Sequence, residues 1–329
     1  MKSDDTGIEE LLRQVGARDE PSAQMMLEVQ AAVHAEWQSM LRARRTRRQF
    51  IAVSIAASAL LAVGVAFFGM RYTAPTPIQV AQITRIDGHL LARPQGQTAR
   101  ELAVAQSVST GETIQTDDRS RAALQFGDDA VSLRLDHGTI VKVAAADELV
   151  LTAGALYIDS QAQNPQDLTI RTDAGSVRHV GTQYEVRTHA DEMVVSVREG
   201  RVMIANAAGT SSGVAGEQIR VTPRGQIVRG TVAAHDPHWQ WAAHTAPQFD
   251  INDHTLAVFL EWVARETGRK VVYSSSEAQS VASGLKLRGS IAGLDPDTAL
   301  NAVLSTLSST QLRRYQTKDE LIGIALTSD

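Results

Sequence analysis

The chain has 329 residues, which is enough for more than one domain. It contains no cysteine, which excludes disulfide bonds, thiolate metal sites and cysteine nucleophiles. The formal net charge is −5, and only 5% of the residues are aromatic. This composition has no overall basic character for nucleic acid and few side chains for a large aromatic pocket. We therefore predict no direct nucleic-acid partner and no cofactor.

Residues 1–49 are predicted to form a short helical region. Thr6 and Glu9 have the spacing of a capping box, and Pro21 suits the first turn of a second helix. Each helix carries an apolar stripe at helical spacing, which is either the seam of a small hairpin or a docking surface for a partner. The candidate docking residues are Leu11, Leu12, Val29, Val33 and Trp37.

Residues 50–70 are predicted to form one transmembrane helix. The run from Phe50 to Met70 has no charged residue and would span roughly 30 Å as a helix, the thickness of a bilayer core. A buried core helix would carry a polar stripe, and this run has none. Five arginines between Arg42 and Arg48 precede it, and the positive-inside rule therefore places residues 1–49 in the cytoplasm. The same arginines could also be interpreted as a nucleic-acid patch, but beside an apolar span they indicate topology.

After a tether at 71–77, residues 78–231 are predicted to form an all-β domain. Apolar residues alternate in short runs, as at Ala122, Leu124 and Phe126, and glycine-containing turns separate the runs. This pattern is typical of a sandwich or a rolled sheet. Gly181 and Gly200 are expected at positive-φ or close-approach positions, and Tyr184 is expected to point inward.

The stretch from Thr172 to Ile204 resembles the core motif of the FecR family of sigma-factor regulators. In that motif a T-x-x-G-x-V run leads into a G-T-x-aromatic-x-V strand, and a later strand ends in an E-G-x-V turn. The matching residues are Thr172, Gly175, Val177, Gly181, Thr182, Tyr184, Val186, Glu199, Gly200 and Val202. Their predicted roles are structural, so the resemblance identifies a domain without locating a binding site.

Residues 232–248 are predicted to be a linker. His235, His238 and His244 raise the possibility of a metal site, but no acidic cluster or helical register accompanies them, so we predict none. Trp239 and Trp241 are expected to pin the linker onto a neighbouring domain.

Residues 249–329 are predicted to form an α+β module of two βαβ units. Strands are expected at 249–251, 270–273, 285–291, 312–315 and 321–326, with helices following residues 255 and 295. The module resembles the short N-terminal module of secretins and TonB-dependent receptors, called STN. An edge strand there, with Val271, Val272 and Tyr273, is the candidate receptor-binding site through β-augmentation. Proline at Val272 is expected to block a backbone donor on that edge.

The sequence gives no reason to predict an enzyme. It lacks a G-x-S-x-G elbow, an H-E-x-x-H helix and a phosphate-binding glycine loop. Asp128 and Asp129 could be paired carboxylates, but a solvated turn explains them better.

The FecR resemblance implies a single-pass inner-membrane protein of a Gram-negative cell, with its C-terminal domains in the periplasm. It implies two partners, an extracytoplasmic-function sigma factor in the cytoplasm and the N-terminal signalling domain of a TonB-dependent outer-membrane receptor. An intramembrane protease is a further candidate, because Ser54, Ser58, Gly64 and Gly69 could let the span unwind. The alternative is a membrane-tethered periplasmic scaffold without a sigma partner.

Overall fold

The chain divides into two compact units, Met1–Thr76 and Pro77–Asp329. The computed structural model describes residues 77–127, 131–160, 168–307, 312–315, 317 and 320–327, together with Met25, Met26 and Glu28, whose backbone is helical. Within that part of the chain, no helix is both long enough and apolar enough to cross a membrane. The predicted span at 50–70 and the candidate docking residues Leu11, Leu12, Val29, Val33 and Trp37 lie outside the described residues.

Fifteen strands form one sheet between Gln79 and Thr231, which we call the β domain. Its strands are β1 (Gln79–Asp87), β2 (Leu90–Arg93), β3 (Arg100–Glu101), β4 (Ser107–Ser109), β5 (Thr113–Thr116), β6 (Arg121–Phe126), β7 (Val131–Leu135), β8 (Ile140–Ala145), β9 (Glu148–Ser160), β10 (Thr169–Thr172), β11 (Gly175–His189), β12 (Glu192–Asn206), β13 (Gly209–Val214), β14 (Glu217–Val221) and β15 (Ile227–Thr231). The prediction of a mostly β domain is confirmed.

The sheet encloses one apolar core because its long strands change partners along their length. The main path runs β15-β14-β12-β11-β10-β9-β7-β6-β1-β4, and β8 and β13 branch from β9 and β12. The strands are antiparallel except for the β9–β10 pair. Strand β9 pairs with β8 over its first half and with β7 over its second half. Alternate residues of both halves point into the same core, as the period-2 pattern predicted.

Part of the predicted linker is helical. A 3₁₀ turn at Pro237–Trp239 is followed by α1 (Gln240–His244). Asp236 caps the 3₁₀ turn, because its carboxylate accepts a hydrogen bond from the His238 N–H at 2.9 Å.

The C-terminal module contains three helices and a three-stranded sheet. Its elements are α2 (Leu256–Thr267), β16 (Lys270–Tyr273), α3 (Ser276–Gly284), α4 (Pro296–Thr306), β17 (Leu312–Tyr315) and β18 (Leu321–Leu326). The strand order is β16-β18-β17, with β16 parallel to β18 and β17 antiparallel to it. Caps fix the helix starts: the Thr255 side chain accepts from the Val258 N–H and the Asp295 side chain from the Thr298 N–H.

Two predicted strands of the module are wrong. Residues 249–251 are not a strand, because the Asp250 carboxylate accepts from the Asn252 N–H at 3.0 Å and turns the chain. Residues 285–291 form only an isolated bridge between Lys286 and Thr255. Their apolar residues still enter the module core, but their backbone pairs with the loop before α2. The order is therefore not two βαβ units.

Helix α3 was not predicted. Ser275 caps it by accepting from the Ala278 N–H, and its buried face consists of Ala278 and Ala282. Two alanines give a weak apolar signal for a helix.

Candidate functional site: a polar clasp on the outer face of the sheet

Two glycines of the predicted FecR motif lie at a close approach between β11 and β12. Gly181 and Gly200 both have positive φ, 57° and 78°. A Cβ on Gly200 would lie 2.6 Å from the Gly181 carbonyl oxygen, so the two segments approach too closely for a side chain. Tyr184 is fully buried, and its hydroxyl has no hydrogen-bond partner among the described residues. Both glycine predictions and the inward tyrosine are confirmed.

The other motif residues also have structural positions. Thr172, on β10, donates its hydroxyl to the Gly175 carbonyl at 3.1 Å. Val177 and Thr182 are buried, whereas Glu199 is exposed and approaches Arg265 at 4.0 Å. Thr172 lines two surface cavities of ≈ 520 and ≈ 530 Å³, and Gly175 lines the second of them.

The most densely charged buried region lies elsewhere, on the outer face of the sheet. Arg134, Tyr157, Glu185 and Ser196 oppose one another across β7, β9, β11 and β12. All four are fully buried, because the linker and the module cover this face. A charged side chain is rarely buried unless it is paired, so the partners of these residues define the site.

Glu185 binds the linker. Its Oε2 atom accepts from the Trp241 indole N–H at 2.7 Å, and its Oε1 accepts from Arg187 Nε at 3.1 Å. His238 Nε2 lies 3.2 Å from Oε1, as a charge pair that is not well aligned as a hydrogen bond. Burial alone would raise the pKa of Glu185, but the contacts with His238 and Arg187 outweigh it and lower that pKa. Glu185 is therefore a buried carboxylate held in its ionised form.

Arg187 and Asp136 extend this group along the strand. Arg187 Nη2 donates to Asp136 Oδ2 at 2.8 Å, and Arg121 Nε donates to Oδ1 at 2.8 Å. Burial opposes ionisation of Asp136, but the two arginines still lower its pKa. Charges of both signs thus balance within the cluster.

Arg134 and Arg198 each bind the linker and the module at once. Arg134 Nη1 donates to the Ala242 carbonyl at 2.7 Å, and its Nη2 donates to Glu266 Oε1 at 3.0 Å. Arg198 Nε donates to the Ala234 carbonyl at 2.7 Å, and its Nη1 donates to the Glu266 carbonyl at 2.9 Å. We use the name polar clasp for Arg134, Asp159, Glu185 and Arg198 with their partners Trp241, Arg265 and Glu266.

Aromatic rings fill the space around the clasp. Trp239 and Trp241 meet Tyr157 edge-on, with ring centroids 5.9 and 6.4 Å apart. The Arg134 guanidinium lies 5.0 Å from the centroid of the Tyr157 ring. Burial raises the pKa of Tyr157 to about 12, so this hydroxyl is neutral at physiological pH. The prediction that the tryptophans pin the linker to a neighbouring domain is confirmed.

The predicted receptor-binding residues lie on an edge strand. Among the described strands, β16 pairs with β18 alone. The Lys270 N–H donates to the carbonyl of Glu320, the residue before β18, at 3.0 Å, and the Ser274 N–H donates to the Ile324 carbonyl in β18 at 2.9 Å. Val272 has the same phase, so its N–H also faces β18, whereas those of Val271 and Tyr273 face outward. The expectation that proline at Val272 would block an edge donor is therefore wrong.

Sequence patterns did not reveal the clasp. Arg134, Glu185 and Arg198 alternate with core residues, and in a sequence this alternation is typical of solvent-facing positions. A usable signal was present in Glu185, Arg187 and Arg198, which lie on the same face of two neighbouring strands, and in the two tryptophans of the following linker. In the described ranges no group of three or more histidine, aspartate or glutamate residues could hold a metal ion.

The fold is a mostly β domain whose outer face carries a linker and a small α+β module. The model of the FecR protein family matches residues 112–203, which run from before β5 into β12 and include every predicted motif residue. The resemblance drawn from the motif is thus confirmed over this region.

Two solved structures show a distant likeness to the chain. Both are crystal structures of a candidate anti-sigma factor from Parabacteroides distasonis ATCC 8503, with 18% and 17% sequence identity. They cover 65% of this chain, and 99% and 98% of the other chain, with TM-scores of 0.35 and 0.34. No curated protein matches the chain.

Proposed function

We propose that the chain regulates a sigma factor of the extracytoplasmic-function class. The observation that carries this proposal is the match between residues 112–203 and the FecR protein family. The apolar stripe with Leu11, Leu12, Val29, Val33 and Trp37 would bind the sigma factor in the cytoplasm. A role in binding rather than in catalysis accords with motif residues that serve the β domain's own structure.

The proposal includes a path across the inner membrane of a Gram-negative cell. Residues 50–70 would form the single span, which leaves the β domain and the module in the periplasm. There the module, which we propose to be STN-like, would bind the N-terminal signalling domain of a TonB-dependent receptor. Edge strand β16 offers outward-facing backbone groups at Val271 and Tyr273 for that purpose. Cleavage by an intramembrane protease would be one way to pass the signal inward.

The experiment that tests the sigma-factor proposal is affinity capture with the full-length chain from its native host, read by mass spectrometry. We expect a sigma factor to be recovered, and Trp37→Ala to weaken its binding roughly thirtyfold, because a buried tryptophan often dominates an interface. Gln38→Ala, one residue away and off the stripe, is the matched control and should bind as the parent does.

Two results would contradict the proposal. One is capture that recovers no sigma factor although the protein is folded, which would favour the membrane-tethered scaffold. The other is sigma binding that is equally strong in the Trp37→Ala and Gln38→Ala variants, which would place the docking surface elsewhere.

A further inference from the structure

The module and the β domain do not share an apolar core. The β domain core and the module core are separate clusters. A third cluster contains Ala155 and Tyr157 of β9 with Val232, Trp239, Trp241 and Ala242 of the linker. Within the described ranges the linker is therefore fastened to the β domain by apolar packing, whereas the module proper is not.

The polar contacts between the module and the β domain converge on the last turn of α2. The described hydrogen bonds and ion pairs between these two parts all involve Arg265 or Glu266. Arg265 binds the Asp159 carboxylate through two nitrogens, with Nε at 3.2 Å from Oδ2. Glu266 binds Arg134 through its carboxylate and Arg198 through its carbonyl. The described direct polar contacts between the module and the β domain thus come from one helix end.

The arginines of the β domain would keep partners if the module left. Arg134 would retain the Ala242 carbonyl, and Arg198 would retain the Ala234 carbonyl and the Tyr157 hydroxyl at 3.3 Å. A buried charge that loses every partner is strongly disfavoured, and here neither arginine would be in that position. The free-energy cost of separating the module from the β domain is therefore smaller than it would be if both arginines lost every partner.

The contact surface next to this helix end is incompletely packed. A cavity of ≈ 250 Å³ lies between the two parts, with Ser132, Asp159, Phe249, Trp262 and Arg265 in its lining. The Ser132 hydroxyl is buried there without a hydrogen-bond partner among the described residues. Water could enter through this cavity and replace the contacts of the ion pairs as the module moves away.

We propose that the C-terminal module is a releasable unit, latched to the β domain by the ion pairs Arg265–Asp159 and Glu266–Arg134. The linker up to Ala246 stays on the β domain when the latch opens, and the module pivots on the residues before α2. Opening exposes a charged surface around Asp159 and Gln183. This device goes beyond the proposed function, because it depends on the contacts described and would operate with any partner of the module.

The test measures the distance between the two parts in the full-length chain. Because the sequence has no cysteine, two spin labels can be placed at Met203→Cys on β12 and Val258→Cys on α2, which are 41% and 40% exposed. Pulsed dipolar spectroscopy should give one narrow distance distribution for this labelled parent. Glu266→Gln should broaden it and populate longer distances, with a shift in the docking equilibrium on the order of a hundredfold.

The matched control is Asp253→Asn, which removes an exposed ion pair with Arg288 from the same module. It should leave the distribution narrow. Arg265→Gln, which breaks the half-exposed member of the latch, should give an intermediate distribution.

Hydrogen exchange in β7, β9 and β11 separates release from unfolding. Release predicts a broad distribution with the protection of these strands retained. An unchanged distribution in Glu266→Gln would overturn the proposal, because other contacts would then hold the module. A loss of protection in the β domain would also overturn it, because the ion pairs would then be part of that domain's own stability.

Discussion

At the scale of single residues, position within the sheet decides what a charged or small side chain does. Glu185 and Glu199 are both on long strands of the β domain, yet Glu185 is fully buried and Glu199 is exposed. The difference comes from the linker, which covers one strand face and supplies Trp241 and His238 as partners for Glu185. Two predictions belong to this scale.

The first concerns the close approach at Gly200. Alanine there would have to adopt φ of +78° and would place its Cβ 2.6 Å from the Gly181 carbonyl oxygen. We expect Gly200→Ala to lower the free energy of unfolding by about 2–4 kcal/mol, measured by urea denaturation. Gly216→Ala is the matched control, because Gly216 has φ of +87° and open space around its Cβ position. It should cost only about 1 kcal/mol. An equal loss of unfolding free energy in the two variants would mean that the close approach at Gly200 does not contribute to the effect of the substitution.

The second concerns His238 and pH. Its contact with Glu185 raises the pKa of His238, against the opposing effect of burial. The unfolded chain has the ordinary histidine pKa of about 6.5. The stabilisation is therefore fully present below about pH 6.5 and is lost as the pH rises through the raised folded pKa. Glu185, whose pKa is lowered, stays ionised throughout this window.

His238→Ala should therefore destabilise the protein more at pH 6 than at pH 9. The measurement is urea unfolding followed by tryptophan fluorescence, since Trp239 and Trp241 flank the site. The charged groups that contact or influence His238 are Glu185, Arg187 and Asp236. His235→Ala, for which the described residues show no ion pair, is the control. A loss of stability that is the same at both pH values would assign His238 a packing role only.

At the scale of secondary-structure elements, hydrogen-bond phase separates the residues of β16 into two classes. Val271 and Tyr273 direct their N–H groups away from β18, and Lys270, Val272 and Ser274 direct theirs toward it. A strand that pairs with the open edge of β16 can accept hydrogen bonds only from the N–H groups of Val271 and Tyr273. Apolar periodicity identifies such a strand in a sequence but does not give its hydrogen-bond phase.

A proline at an outward-facing position of β16 tests this phase. Val271→Pro removes an outward donor and leaves the β16–β18 ladder in place, so the module should remain folded by circular dichroism. If the module binds a receptor signalling domain as proposed, that binding, measured by calorimetry, should weaken about tenfold. Val272→Pro removes a donor within the ladder and should unfold the module instead. Unchanged affinity in a folded Val271→Pro variant would show that β16 is not the receptor edge.

At the scale of the whole molecule, the β domain and the module are joined by charge rather than by a common core. The outer face of β9 shows why the sequence did not predict that other parts of the chain cover the sheet. All six residues from Ala155 to Ser160 are buried, although only alternate ones face the β core. The linker covers Ala155 and Tyr157 from the opposite side, and Arg265 of the module covers Asp159. Nothing in the local pattern of β9 indicates a second covering layer.

The sequence alone predicted the β class of residues 78–231, the inward face of β6 and the two glycines with positive φ. These features follow from local rules, the two-residue period of a strand and the steric limits on φ. It also predicted helices α2 and α4 through their caps and apolar faces. Residues 285–291 show what an apolar pattern cannot predict. Their apolar residues enter the module core, but the segment does not form a strand.

Only the tertiary structure decided which charged residues are buried together. Arg134 and Glu266 are 132 positions apart in the sequence, and their pairing depends on how the linker folds back across β7, β9 and β11. Burial and charge pairing are properties of the packed chain, since the free energy of a charged group depends on the solvent and partners around it. For that reason strand patterns could locate the β domain of this protein, whereas the polar clasp required the positions of all three parts.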